Sequence, residues 1–194
     1  KGNRDRMIMI LLYDTTIRIA ELLELKISSL KLTSVPSIHI HGKGDKERSV
    51  SITDATVSHL KKYLRQFHPE MLPDQPLFYT KIKGSIAPMS PGNVSRIINK
   101  YADAIRSEHP NLPKHLHCHM FRRTRATGLY RNGVELEMIS VILGHSSTET
   151  TRIYATPSIE MLEEAMNTAN STIPDETPEW EENEDELARI CGLR

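Results

Sequence analysis

The chain has 194 residues of which 38% are apolar, enough for one core, and no apolar run approaches the ~18 residues of a membrane-spanning helix. Its start, Lys1-Gly-Asn-Arg-Asp-Arg, lacks a signal peptide's apolar region and cleavage site, and the absence of an initiator Met is what a piece of a longer protein would show. The net charge of zero conceals an asymmetry: residues 171–194 hold eight acidic and two basic residues, leaving 1–170 with 23 basic and 17 acidic, a charge of +6.

The predicted elements are mainly helical. Arg4–Tyr13 reads as a helix that Asp14-Thr15-Thr16 breaks, and helical spacing resumes over Arg18–Leu25. Ser37–His41 and Arg48–Ile52 alternate like strands around the turn Gly42-Lys43-Gly44-Asp45, giving a β-hairpin with a basic tip. Thr53 is placed to cap a helix running to about Gln66, and a proline-bearing loop follows from Pro69 to Pro76. Ser90-Pro91 opens a helix to about Ser107. His119–Tyr130 is helical and stops at Asn132-Gly133, and Leu136–Leu143 is a short helix ended by Gly144. Thr148–Tyr154 is a further short piece, and Thr156-Pro157 opens a last helix to about Asn167. The expected fold class is therefore α+β, mainly helical, with one small antiparallel sheet near the start.

Five segments carry groups suited to one chemistry. They are Thr15-Thr-Ile-Arg18-Ile-Ala-Glu21-Leu, Gly42-Lys43-Gly-Asp-Lys46-Glu-Arg48, His119-Met-Phe-Arg122-Arg123-Thr, Leu143-Gly-His145-Ser-Ser and Thr150-Thr-Arg-Ile-Tyr154. Breaking a phosphodiester requires a nucleophile, neutral balance for the developing charge, and a proton for the departing oxygen. A tyrosine phenol can attack and form a covalent ester. Guanidinium forks such as Arg18 and Arg122 hold phosphate oxygens bidentately and keep their charge at any relevant pH. His119 stands one helical turn before Arg122, where an imidazole can take the phenol proton; His145, at a helix end, can donate a hydrogen bond to the phosphate. Lys46 and Arg48 on the hairpin read as backbone-phosphate contacts, which position DNA without reading its sequence. Of six tyrosines, Tyr154 alone lies in a short polar helix just after His145, whereas Tyr13 and Tyr130 have apolar neighbours and read as core. Any one of these residues alone is as well explained by a solvated surface or a salt bridge; their joint order is the signal.

In that order the segments resemble the tyrosine recombinase (phage integrase) family over Arg18 to Tyr154, including the nine-residue step from His145 to Tyr154. The resemblance implies a C-terminal catalytic domain with Arg18, Lys43, His119, Arg122, His145 and Tyr154 as catalytic groups. It makes Lys43 the general acid for the leaving 5′ oxygen and Glu21 a support for Arg18. It implies double-stranded DNA recombination sites as partner, a homotetramer on DNA, a Holliday junction, a 3′-phosphotyrosine intermediate and no cofactor. Accessory DNA-bending proteins are further partners by the same resemblance, a mobile element is the expected source of the activity, and an N-terminal DNA-clamping domain is expected outside this chain. Two positions depart from the family pattern. Thr16 stands where glycine is common, so its Cβ restricts the turn before Arg18; Arg123 stands where many members carry His, and adds a cation that can touch the DNA backbone.

The chain is expected to comprise a catalytic domain, 1–170, and an acidic tail, 171–194, whose Trp180, Leu187, Ile190 and Leu193 are apolar groups able to dock on a neighbouring protomer. Cys118 and Cys191 provide no disulfide framework and fit a reducing cytoplasm. His115, His117, Cys118 and His119 crowd together as a rival metal site, but no second Cys or Cys-His pair exists, and the expectation is no metal. The rival functions are a type IB topoisomerase, which shares the chemistry, and a non-catalytic DNA-binding relative.

Overall fold

The apolar run near the start becomes the hub of the structure. Helix α1 (Gly2–Asp14) buries Met7, Ile8, Leu11 and Leu12, which follow the i, i+4 spacing of one helix face and its neighbour. Each such side chain, fully removed from water, contributes about 1.5–3 kcal/mol. Against α1 pack α2 (Ile19–Glu24), α3 (Asp54–Phe67), α4 (Pro91–Ile105) and α5 (Cys118–Arg131). Thr53 caps α3 by accepting the Thr56 N–H, and Ser90 caps α4 by accepting that of Asn93, with Pro91 at the first helical position. The structure, a computed structural model, describes residues 2–42, 46–145, 147–157, 159–171 and 189.

Strands β1 (Leu30–Lys31), β2 (Ser37–Gly42) and β3 (Lys46–Ser51) form an antiparallel sheet in that order. Ile38, Ile40 and Val50 point into the core, so His39, His41, Glu47 and Ser49 take the opposite face. A second sheet, β4 (Tyr79–Ile82) with β5 (Ser85–Pro88), departs from the single sheet expected. Its turn is Lys83-Gly84, both with positive φ (49° and 85°), as a two-residue type I′ hairpin requires. The glycine was the available signal, but Thr-Lys-Ile and Ser-Ile-Ala around it carry too little apolar alternation to stand out.

The chain divides into two compact units, residues 1–156 and 157–194. Within the first, α6 (Leu136–Leu143) and a 3-10 helix (Thr148–Tyr154) build a smaller core of Ala126, Ile139, Leu143 and Tyr154. The second unit contains α7 (Ile159–Ser171), with Ile159, Leu162 and Met166 exposed. The apolar tail positions Trp180, Leu187, Ile190 and Leu193 lie outside the described residues. Among the described residues, no helix is long and apolar enough to cross a membrane.

Candidate active site

The site forms where the end of α1, the start of α5 and the end of α6 converge. Helix α1 stops because the Thr15 hydroxyl donates to Leu11 C=O and accepts the Ile17 N–H, turning the chain. Thr16 then adopts φ 53°, the left-handed conformation that glycine takes without cost. The Cβ therefore does not deny the chain this turn; it strains it. The conformation aims Thr16 C=O at Arg122, whose Nη1 donates to it at 2.7 Å.

Arg122 is 2% exposed, an unusual location for a guanidinium. Its Nη2 donates to Leu143 C=O at 2.7 Å, satisfying one of the carbonyls that the end of α6 leaves free. Two opposed carbonyls thus fix the plane of the fork. Burial, helped by the neighbouring Arg18, brings its pKa down to about 10, so it stays charged at neutral pH.

Arg18 is the N-cap residue of α2, and its side chain is 44% exposed. Glu21, three residues on, accepts the Arg18 N–H at 2.9 Å and pairs with Arg18 Nη1 at 3.0 Å. Burial works to raise the Glu21 pKa, but the hydrogen bonds from Arg48 and Arg18 overcome it and hold the carboxyl at about 2. Arg48 departs from the surface phosphate contact expected of it. Its Nη1 and Nη2 form a fork on Glu21 at 3.0 and 2.8 Å, so the guanidinium is turned inward and braces the carboxylate that braces Arg18.

Gly144 closes α6 in the left-handed conformation (φ 63°), and a Cβ there would lie 2.9 Å from Arg48 Cζ. Glycine is needed twice over: for the backbone angle and for the passage of Arg48. His145, next in the chain, places Nδ1 2.8 Å from the Thr151 hydroxyl. Burial, then Arg122 and Arg18, push the His145 pKa down to about 4, and the same forces lower that of His119. Both imidazoles are accordingly neutral near pH 7.

Tyr154 is 3% exposed, held in the smaller core, with its hydroxyl 3.5 Å from His119 Nε2 and its ring stacked on His145 at 6.5 Å between centroids. The other phenols are differently placed. Tyr63 and Tyr79 donate to Leu77 C=O and Phe67 C=O, and Tyr101 to Asp5. Tyr13, read from sequence as core, is instead 41% exposed beneath Arg125, whose guanidinium lies 5.4 Å from the ring.

Of the ten residues singled out from sequence, Arg18, Glu21, His119, Arg122, His145 and Tyr154 are drawn together with Arg48. Arg123 is exposed on α5. Lys43 and the Lys46 side chain lie outside the described residues. Thr151 was missed, since nothing in the sequence marks a threonine six residues after a histidine as its partner. The helix expected from His119 begins at Cys118 with His117 as N-cap, so His115, His117, Cys118 and His119 run from a loop into a helix start. Among the described residues those four side chains do not bring three metal-ligating atoms together.

Two expectations follow for stability. The buried Thr16 hydroxyl has no hydrogen-bond partner among the described residues. Left-handed strain costs about 1–2 kcal/mol, and an unpaired buried hydroxyl about 1–3 kcal/mol. Replacement by glycine forfeits about 0.8 kcal/mol of methyl burial and about 0.5–1 kcal/mol of backbone entropy. Thr16→Gly is therefore expected to stabilise the chain, raising the thermal midpoint by about 2–4 °C; a midpoint that falls in a thermal melt contradicts the strain.

The second concerns pH. A His145 pKa lowered to about 4 means that the unfolded chain takes up a proton that the folded chain refuses between its ordinary value and 4. The associated stability is complete above that range and declines as pH falls. Urea midpoints should drop between pH 7 and pH 5, and drop less in His145→Gln; equal drops would show that His145 is not the source.

The model of the phage integrase family matches residues 1–161. A tyrosine recombinase of Agathobacter rectalis is 40% identical over 152 residues, 78% of this chain and 47% of the relative. Tyrosine recombinase XerC of Staphylococcus epidermidis is 30% identical over 165 residues, 84% of this chain and 52% of the relative. The chain thus spans about half the length of the curated relatives it matches. Among solved structures, XerH site-specific recombinase bound to a palindromic difH substrate in a post-cleavage complex has a TM-score of 0.67 at 30% identity, over 85% of this chain and 45% of that one. The integrase of transposon Tn1549, 20% identical with a TM-score of 0.65 over 84% of this chain and 57% of that one, shares the fold. The α+β, mainly helical class is that of tyrosine recombinase catalytic domains, and the chain belongs to the phage integrase family.

Proposed function

We propose that this chain is the catalytic part of a site-specific DNA recombinase that cuts and rejoins strands through a 3′-phosphotyrosine ester on Tyr154. The observation that carries the reading is the buried Arg122 fork beside the Tyr154–His119 pair, with Arg18 and His145 completing the ring. The kinship with a DNA-bound recombinase in a post-cleavage complex supports the same substrate.

In this reading Arg122 and Arg18 hold the non-bridging oxygens of a DNA phosphate, and the preorganised charge stabilises the phosphorane. Tyr154 Oη attacks phosphorus while its proton passes to neutral His119, and the bond to the 5′ oxygen breaks as Lys43 protonates it. Neutral His145, its Nδ1 engaged by Thr151, has Nε2–H free to donate to a phosphate oxygen. One phosphate ester replaces another, so no external energy source is required. Attack by the 5′ hydroxyl of a second strand reverses the step and yields exchanged strands.

The biological assembly proposed is a homotetramer on two double-stranded sites, proceeding through a Holliday junction in the cytoplasm, in the service of a mobile element and with accessory DNA-bending proteins. Arg123 and Lys46 are proposed to touch the DNA backbone, and 171–194 to dock on a neighbouring protomer. A nicked suicide substrate tests the chemistry. The expected product is a covalent adduct whose DNA-bearing peptide contains Tyr154, with a free 5′ hydroxyl on the released strand. Failure to form an adduct in the presence of bound DNA would favour a non-catalytic relative, and relaxation of plasmids lacking any recombination site would favour a topoisomerase.

A further inference from the structure

The solvent face of the β2–β3 sheet carries a cluster that the cleavage chemistry does not use. His39 and His41 alternate with the buried Ile38 and Ile40, so both imidazoles stand on that face. Glu47 is directly opposite His41 in the register and diagonal to His39. Its carboxylate lies between the two rings, Oε1 at 2.9 Å from His41 Nδ1 and Oε2 at 3.2 Å from His39 Nε2. The face is the reverse of the one from which the adjacent Arg48 reaches Glu21.

We propose that His39, His41 and Glu47 form a binding site for a divalent transition metal of the zinc class, independent of the reaction centre. One ligand atom from each residue lies within 4.8 Å of the other two. Tetrahedral zinc with bonds of about 2.0–2.2 Å sets its ligand atoms roughly 3.3 Å apart. The carboxylate already reaches both rings, one oxygen to His41 and the other to His39, so a metal entering the cluster asks for side-chain rotations and no change of strand register. Two imidazoles and a carboxylate are a donor set that zinc accepts, with the fourth position open because His41 is 62% exposed on its side chain.

A further contact has the character of support for a ligand. Ser49, directly opposite His39, places its hydroxyl 3.3 Å from His39 Nδ1, leaving Nε2 for the metal. The rings meet edge to face at 5.0 Å and 89°, an arrangement in which their nitrogens converge on the carboxylate instead of stacking. Without metal the same groups make exposed polar contacts, which contribute little to stability. With metal they staple the end of β2 to the start of β3, the strands that flank Lys43 in the sequence. Metal occupancy thereby acts on the hairpin of the proposed general acid; that consequence rests on the recombinase reading, while the binding itself does not.

Cobalt(II) titration of chelator-stripped chain is the test, followed by competition with zinc. The expected result is one saturating equivalent with visible ligand-field bands, no thiolate-to-cobalt charge transfer, and displacement by zinc. His41→Ala and Glu47→Gln, both at exposed positions and checked for retained fold by circular dichroism, should each weaken binding by more than tenfold, and Ser49→Ala by about tenfold. Cys118→Ser should leave it unchanged. The site is refuted by the absence of a saturable equivalent, by binding that persists in both His41→Ala and Glu47→Gln, or by a charge-transfer band that Cys118→Ser removes. Activity enters none of these readouts, so they stand or fall apart from the recombinase chemistry.

Discussion

Tyr154→Phe is expected to leave folding and DNA binding intact while reducing covalent adduct formation below detection. The ring supplies the packing against Ala126, Ile139 and Leu143, and phenylalanine retains it. The lost hydroxyl makes one long contact to His119, so stability should change by no more than about 1 kcal/mol. Removing a nucleophile outright typically costs on the order of a millionfold in rate. Single-turnover cleavage of the suicide substrate, alongside a binding isotherm and a urea melt, separates the three effects. An adduct that survives in the variant would move the nucleophile elsewhere. Tyr13 would be the first candidate, because it is exposed while Tyr63 and Tyr79 donate to backbone carbonyls.

Which parts of this arrangement could be read from the chain follows from the range of the interactions. Helix caps at Thr53 and Ser90 and the Gly144 stop are local: the residue that sets the geometry sits within four positions of the group it satisfies. The groups proposed to react stand out through their order along the chain, because a phosphate needs several cations and a proton carrier whatever fold delivers them. Arg48 was misplaced for the opposite reason. Its partner, Glu21, is 27 residues away, and a basic residue on a hairpin carries no mark that says which face of the sheet it occupies. Tyr13 departs from its expected core environment on similar grounds. An apolar neighbourhood in sequence surrounds Tyr13, but its helix turns that position outward beneath Arg125. A polar neighbourhood surrounds Tyr154, yet the 3-10 helix turns its ring into the smaller core. The His39–His41–Glu47 cluster was invisible because half of it depends on strand register.

Arg122 should give the largest combined loss, since one guanidinium joins the fold to the proposed chemistry. Arg122→Ala leaves Thr16 C=O and Leu143 C=O without their donor in a buried setting, each at a cost of about 1–3 kcal/mol. A destabilisation of about 2–5 kcal/mol is expected from the two together, with cleavage lowered by at least about 100- to 1000-fold. Alanine alone would confuse collapse of the site with loss of charge, and Arg122→Lys resolves this. A lysine retains a cation but lacks the planar fork, so it can reach one carbonyl or the other and not hold both in one plane. Burial and the nearby Arg18, which already lower the arginine, act on an ammonium whose ordinary pKa is lower to begin with. The lysine variant should therefore recover part of the lost stability, recover little cleavage, and cleave relatively better as pH falls and the ammonium is retained. Wild type should show no such gain, because a pKa of about 10 keeps its guanidinium charged throughout the neutral range. Full activity in Arg122→Lys with a flat pH profile would mean that the fork serves the fold alone and that Arg18 carries the phosphate.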